Sequence, residues 1–579
     1  MPAELSREDY ALRYGPTTGD LVRLGDTNLW IRVERDDVAY GDELTYGWGQ
    51  TVRTGMAISR RASPSELDVV IIGALVLDPV LGVVKTSLGI KEGRITAVGR
   101  AGNPETMDDI AALIGPHTEV IAAHGLIATP GAIDSHVHLL TPRLIPSALS
   151  GGITTLITAG WEEPVWRWQR TVEAFEQLPV NIGLQATART DDPGATERLI
   201  LEMGCPGLKV HEDFAAYPEV IAATLDLCEA HDIQLCLHTD GLHESGELEE
   251  TVAAIGGRTM HAYHVEGAGG GHVPDLIALV REPHVICSST NPAIPWGPSS
   301  ATEHVMMTIL VHGLSPDLPE HVAMVRERIH PATMAAEGPL HELGGIQIIA
   351  SDSQGMGRIG ETVRKTWQLA HAMKMWRGTE NGFGWPGASA RRTSTGTFTA
   401  EAGANDDDND RVLRYLAKYT IEPAITHGIS RHVGTLAPGR LADVVLWSPE
   451  SFGVRPALVI KGGLPAWGPL GEGNASVTLA EPVRYGSQWG GVGTVAGLSS
   501  ALFVSQAGHD QGVAMRTGTR REVIPVQHCR NLTRDDLWAN REAVPIEVDV
   551  NDGTVFLDGR ILATTPVTAV PLSRRYLLA

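Results

Sequence analysis

Eight short apolar runs, spaced almost evenly, most constrain what this chain can fold into. They are GAIDSHVH, ITTLITAG, VNIGLQAT, GLKVH, IQLCLH, TMHAYHV, HVICSST and IQIIASD, and they end at residues 138, 160, 187, 211, 238, 265, 290 and 352. The first seven ends recur at intervals of 22 to 27 residues, and the eighth follows a longer gap. Such an interval holds one strand, one helix and two loops. Between the runs lie stretches such as PEVIAATLDLCEAHD, with apolar residues at helical spacing. Eight units predict an α/β fold with a (β/α)8 TIM-type barrel over residues 131–425. An open doubly wound sheet has the same local grammar and is the alternative.

Both flanks have a different texture. LWIRVERDDVAYGDEL, LDVVIIGALVLD and VVKTSLGIKEGRITAVG in the first 130 residues alternate Val, Ile and Leu with polar residues, as half-buried strands do. The same pattern returns in GRLADVVLWSP, LVIKGGLPAWG, REVIPVQ and TVFLDGRIL. We therefore expect a β-rich domain built from residues 1–130 and 426–579, the latter also supplying packing segments. The Gly-, Ser-, Thr- and Asp-rich stretch 382–410 reads as an exposed, mobile insertion. Residues 291–345, between the seventh and eighth strands, are too many for a simple connection and are a lid candidate.

With 46 Lys and Arg against 69 Asp and Glu, the formal charge is -23, and nothing offsets repulsion from nucleic-acid phosphates or an anionic membrane. Five cysteines without a CxxC pair, several in apolar runs such as IQLCLH, read as buried, inert thiols in a reducing, cytoplasmic setting. MPAELSREDYALRYG carries charges where a signal peptide needs an apolar stretch, and no apolar run is long enough to span a membrane.

Chemistry gathers at the strand ends, where barrel active sites are built. His136 and His138 are two apart, so strand periodicity puts both on one face. Lys209 and His211 repeat that spacing, His238 ends the fifth strand, His264 lies near the end of the sixth, and Asp352 ends the eighth. Any one histidine in such a place has an ordinary structural explanation. Metal-ligand chemistry at five of eight strand ends that ring one pore does not. Lys209 is the odd member, because an ammonium would repel metal cations. Burial and nearby cations depress a lysine pKa, and a neutral amine captures carbon dioxide to give a carbamate that can bridge two metals. The other reading is a structural lysine paired with Glu212 or Asp213. The donor set alone allows nickel, zinc, manganese or iron, in a two-metal hydrolase that activates a shared hydroxide.

The order HVH, Lys, His, His, Asp resembles the amidohydrolase superfamily. Longer strings are similar to urease α (catalytic) subunits: GPTTGDLVRLGDTNLWI, AGNPE, GLKVHEDF, AAIGGRTMHAYHVEGAGGGHVPD, SDSQGMGRIGE, LAKYTIEPAITHGI and ALVIKGGLPAWGPLG. They span nearly the whole chain. The resemblance implies two Ni(2+) per chain bridged by an N6-carboxylated Lys209. His238 and His264 would hold one ion, and His136, His138 and Asp352 the other. It makes His211 the residue that hydrogen-bonds the urea oxygen and His312 the lid proton donor, held and tuned by Asp213 and Arg328. It also implies β and γ subunits, often as a trimer of heterotrimers, and nickel-insertion accessory proteins.

Some positions depart from the family pattern. After the second strand, the family's GGGTGP stretch is replaced by ITAGWEEPVWRWQR, and the connection is about ten residues shorter. Trp161, Glu162 and Glu163 therefore reshape the substrate pocket. Val311 stands in place of the lid cysteine, Gly313 in place of a histidine and Gly355 in place of an alanine. Three readings follow: a urease splitting urea to ammonia and carbamate, a related enzyme for another urea-like, amide or guanidino compound, and a non-catalytic scaffold subunit.

Overall fold

The computed structural model describes residues 4–41, 56–160, 164–211, 216–238, 248–267, 275–379, 382, 390–392, 398–400, 407–470 and 484–574. The eight expected runs are the eight barrel strands: Ala132–Val137, Ile153–Thr158, Asn181–Gly183 resumed as Ala186–Thr187, Gly207–Val210, Gln234–Leu237, Met260–Ala262, Val285–Thr290 and Ile348–Ala350. Consecutive strands pair in parallel. The ring closes where the Asp352 amide donates to the His136 carbonyl at 2.8 Å and the His138 amide to the Ser353 carbonyl at 2.9 Å. The Asp134 carboxylate reinforces this seam by accepting from the Ser351 amide at 3.0 Å. The open doubly wound sheet is thereby excluded.

The third strand departs from a simple barrel. Its first half carries Ala501–Val504 on the edge away from the second strand, and Glu522–Pro525 beyond that, both parallel. Only its second half pairs with the fourth strand. At the junction, buried Asn181 donates to Thr155 and to Asp443 and accepts from the Ala501 amide at 2.9 Å and from Lys461 at 2.8 Å. One satisfied amide thus ties barrel, C-terminal strands and β-rich sheet together.

That sheet has ten strands and draws on both flanks. Ile127–Pro130 pairs in parallel with Val69–Asp78 and antiparallel with Val444–Trp447. Every residue of Val69–Asp78 is buried, which explains its unbroken VVIIGALVLD run. REVIPVQ and TVFLDGRIL were expected in this sheet. The first instead extends the barrel sheet, and the second forms a small antiparallel sheet with Ile546–Val548.

The 291–345 connection is three helices, Ser300–Val311, Pro319–Arg328 and Pro331–Leu343. The third is buried from Thr333 to Leu343, so only the first two lie at the surface. Much of 382–410 lies outside the described residues. Its DDDND end is not a loose insertion. Asp408 and Asn409 are buried and accept from the amides of Trp30 and Arg32, satisfying a strand that would otherwise lack partners there. Among the described residues, no helix is long and apolar enough to cross a membrane.

Glu342, fully buried at the end of the third helix, anchors that helix to the barrel wall. It lies 2.9 Å from Arg411, 3.6 Å from Arg414 and 3.7 Å from Arg377, and accepts from the Tyr415 hydroxyl at 3.0 Å. Burial alone would raise its pKa, but Arg411 and Arg414 outweigh burial and hold it below the ordinary value. Glu342→Ala is expected to cost about 3–5 kcal/mol, because it removes the buried carboxylate that faces three guanidinium groups, of which Arg411 keeps Asp408 at 3.1 Å. A depressed carboxylate contributes in full above its unfolded pKa and loses that contribution as pH falls through the folded one. Thermal midpoints of wild type and variant should therefore differ most at neutral pH and converge in acid. Equal midpoints at neutral pH would contradict this role.

Candidate metal centre

His136 and His138 point into the barrel mouth from one face of the first strand, and Asp352 meets them from the eighth. Their ligand atoms all lie within 4.8 Å of one another. Asp352 Oδ1 is 3.3 Å from His136 Nε2 and 3.2 Å from His138 Nε2. Yet Asp352 Oδ1 and both ring nitrogens of His136 are buried without a hydrogen bond among the described residues. A carboxylate and an imidazole brought this close in the interior, but not aligned to share a proton, fit a common cation.

The second group faces the first. His264 Nε2 lies 3.0 Å from His238 Nδ1, and the His264 ring centre is 5.5 Å from that of His136. His211, just past the fourth strand, has its ring 4.8 Å from His238. All of these side chains are buried, as is Lys209. The Lys209 ammonium sits 3.8 Å from the Tyr263 ring centre, and His136 stacks on that ring at 3.8 Å. Burial pushes the His136 pKa well below its ordinary value, and Lys209 and the neighbouring imidazoles push it further. A neutral imidazole is the ligand form. The donor set fits two hard-to-borderline metal ions. The six expected ligands and His211 are thus brought together.

The lid residues are placed less directly. His312 ends the helix Ser300–Val311, half-buried, with Nδ1 2.9 Å from the Thr308 carbonyl oxygen. Thr308 in turn contacts the sulfur of Met356, on the loop that follows Asp352. Arg328 is buried at the end of the next helix. Asp213, Glu212, Trp161, Glu162 and Glu163 lie outside the described residues. Val311 and Gly313 are exposed.

Three residues near the site escaped sequence reasoning, and a fourth, Gly355, was singled out there only as a departure from the family's alanine. Tyr263 lies beneath Lys209 and donates to the Ser135 carbonyl at 2.7 Å. Asp134, pushed up to about 6 by burial, binds the amide of His136. Its place two before His136 and four before His138 was the available signal. Gly160, at φ +92°, leaves room for Lys209: a Cβ there would come within 2.6 Å of the Thr187 hydroxyl and 3.3 Å of Lys209 Cβ. Gly355 is packed against the ligands themselves, and a Cβ would lie 2.8 Å from the His138 ring and still closer to Asp352 Oδ1.

With this geometry in hand, comparison with known proteins is informative. Residues 3–121 match the urease alpha-subunit N-terminal domain, and residues 127–465 match the amidohydrolase family. The urease subunit alpha of Haloarcula marismortui is 42% identical over 591 residues, covering 100% of both chains. The urease subunit alpha 1 of Streptomyces avermitilis is 43% identical and covers 98% of this chain and 99% of its own. The urease subunit alpha 2 of Streptomyces coelicolor is also 43% identical, over 98% of this chain and 99% of its own.

Proposed function

The chain belongs to the urease alpha-subunit family of amidohydrolases, hydrolases of amide C–N bonds, and from that premise we propose how it hydrolyses urea. The reaction takes urea and water to ammonia and carbamate. In this reading a carbamate on Lys209 would hold two nickel ions together with His136, His138 and Asp352 on one side and His238 and His264 on the other. The observation that carries it is the convergence of His136, His138 and Asp352 within 4.8 Å, buried and not hydrogen-bonded as pairs. When bound, the ions supply Lewis-acid polarisation of the urea carbonyl and activation of water at neutral pH.

The chain's own residues do the rest. His211 offers an imidazole N–H to the urea oxygen. Because a carbonyl can only accept, the Thr308 contact fixes the proton of His312 on Nδ1. Nε2 is then the nitrogen that gains a proton and hands it to the departing ammonia. The family resemblance gives Arg328 and Asp213 the task of positioning that imidazole. The enzyme works in a multi-subunit urease complex, which we assign to β and γ subunits with accessory proteins inserting nickel. Five free, buried cysteines suit a cytoplasmic setting.

The test is co-expression with the small subunits and insertion proteins, followed by metal counting and ammonia release from urea. Two nickel ions per chain with turnover is the expected result. Full metal loading without turnover on urea would point to another amide or guanidino substrate. A chain that takes up no metal would overturn the reading.

A further inference from the structure

A second cluster of metal-ligating side chains lies in the barrel interior beneath the site at the mouth. Cys236 on the fifth strand and His261 on the sixth are paired in register, and both face inward. His427 reaches them from the end of the helix Ile421–Thr426, which lies close to the first barrel strand. His261 Nδ1 is 3.2 Å from His427 Nε2 and 3.8 Å from Cys236 Sγ, and all three ligand atoms lie within 4.8 Å of one another. Tyr263 separates the two layers: it stacks on His136 on one side and meets His261 edge-on at 4.8 Å on the other.

We propose that Cys236, His261 and His427 form a second, structural metal site for a zinc-like ion, distinct from the centre at the barrel mouth. The edges of the triangle match that chemistry. Tetrahedral zinc with Zn–N near 2.05 Å and Zn–S near 2.3 Å places two imidazole nitrogens about 3.3 Å apart and a nitrogen and thiolate about 3.6 Å apart. The Gln185 side chain lies beside the thiol. Its amide nitrogen lies 3.4 Å from Cys236 Sγ, while its oxygen has no hydrogen-bond partner among the described residues. As placed, the amide donates to the sulfur, and turned over, it offers oxygen as a fourth ligand.

The imidazoles are in the ligand form. Burial holds His427 at about 3 and His261 well below its ordinary value. On binding, the Cys236 thiol releases its proton to solvent and the thiolate takes the metal. A sulfur-containing triad selects zinc over the hard ions that suit the oxygen- and nitrogen-only site above.

Cobalt(II) loading of the full chain tests this, because the mouth site contributes no sulfur ligand. The expected result is a near-ultraviolet sulfur-to-cobalt charge-transfer band. Cys236→Ser and His427→Gln should each remove it and lower the metal count by one ion per chain, whereas Cys287→Ser should leave both unchanged. Circular dichroism establishes that each variant is folded. If a variant does not fold, wild type decides through X-ray absorption at the cobalt edge, where one sulfur and imidazole scatterers are expected. Absence of sulfur scattering or of the band in wild type, or a band that survives in folded Cys236→Ser, would overturn the site and leave a hydrogen-bonded cluster.

Discussion

Lys209→Ala is expected to empty the metal centre at the barrel mouth and abolish ammonia release in one step. The residue has no exposure, lies one residue before the end of the fourth strand and sits over Tyr263 beside His136. A permanent ammonium so close to five imidazoles would disfavour any cation, which is why the amine is expected to be carbamylated in the loaded enzyme. Alanine removes the group proposed to join the two ligand sets. Both ions should then be lost, and turnover should fall by at least about four orders of magnitude, since little of the two-metal stabilisation survives. Elemental analysis and ammonia assay read the two effects separately. Activation of wild type should depend on bicarbonate, while the variant should not respond. A Lys209→Ala enzyme that keeps two ions per chain would refute the bridging role.

His312→Ala should behave in the opposite way. Its imidazole is carried by a surface helix and belongs to neither ligand group, so the metal content should be unchanged. Loss of the proton donor should lower kcat by roughly 10²–10⁴-fold. KM should move little, because urea is held by other groups. The alkaline limb of the kcat profile should also change shape, since a proton donor acts only while protonated and that group has gone. Full activity would exclude His312 as the donor, and loss of metal would mean that the helix supports the centre structurally.

Much of this centre was legible in the chain. Period-two spacing put His136 and His138 on one face, and the eight runs announced a barrel whose strand ends must converge. The amphipathic stretch 218–231 is a helix as its periodicity predicts. What could not be read were contacts between distant segments. REVIPVQ looks like another strand of the β-rich sheet, but pairs with Ala501–Val504 because the split third barrel strand presents a free edge. The polar DDDND run resembles a solvated loop, yet Asp408 and Asn409 within it are buried, because Trp30 and Arg32 have amides to satisfy. Cys236 reads as an inert apolar thiol until the barrel brings His261 and His427 to its side.

The sequence by itself determined the barrel, the residues proposed as ligands and the strands that carry them. These follow from local periodicity, which depends only on neighbours along the chain. The tertiary structure decided how those ligands are aimed. Strict alternation would turn Tyr263 and His264 to opposite faces, but His264 at φ +29° turns out of the strand and joins His238 while Tyr263 stays beneath Lys209. Asp352 at φ +55° likewise leaves the strand geometry to meet both histidines. Such backbone is costly for residues with side chains and persists only where surrounding contacts enforce it. Here the enforcement comes from the seam between the first and eighth strands, made by groups more than 200 residues apart. That separation is why local pattern could name the ligands but could not place them.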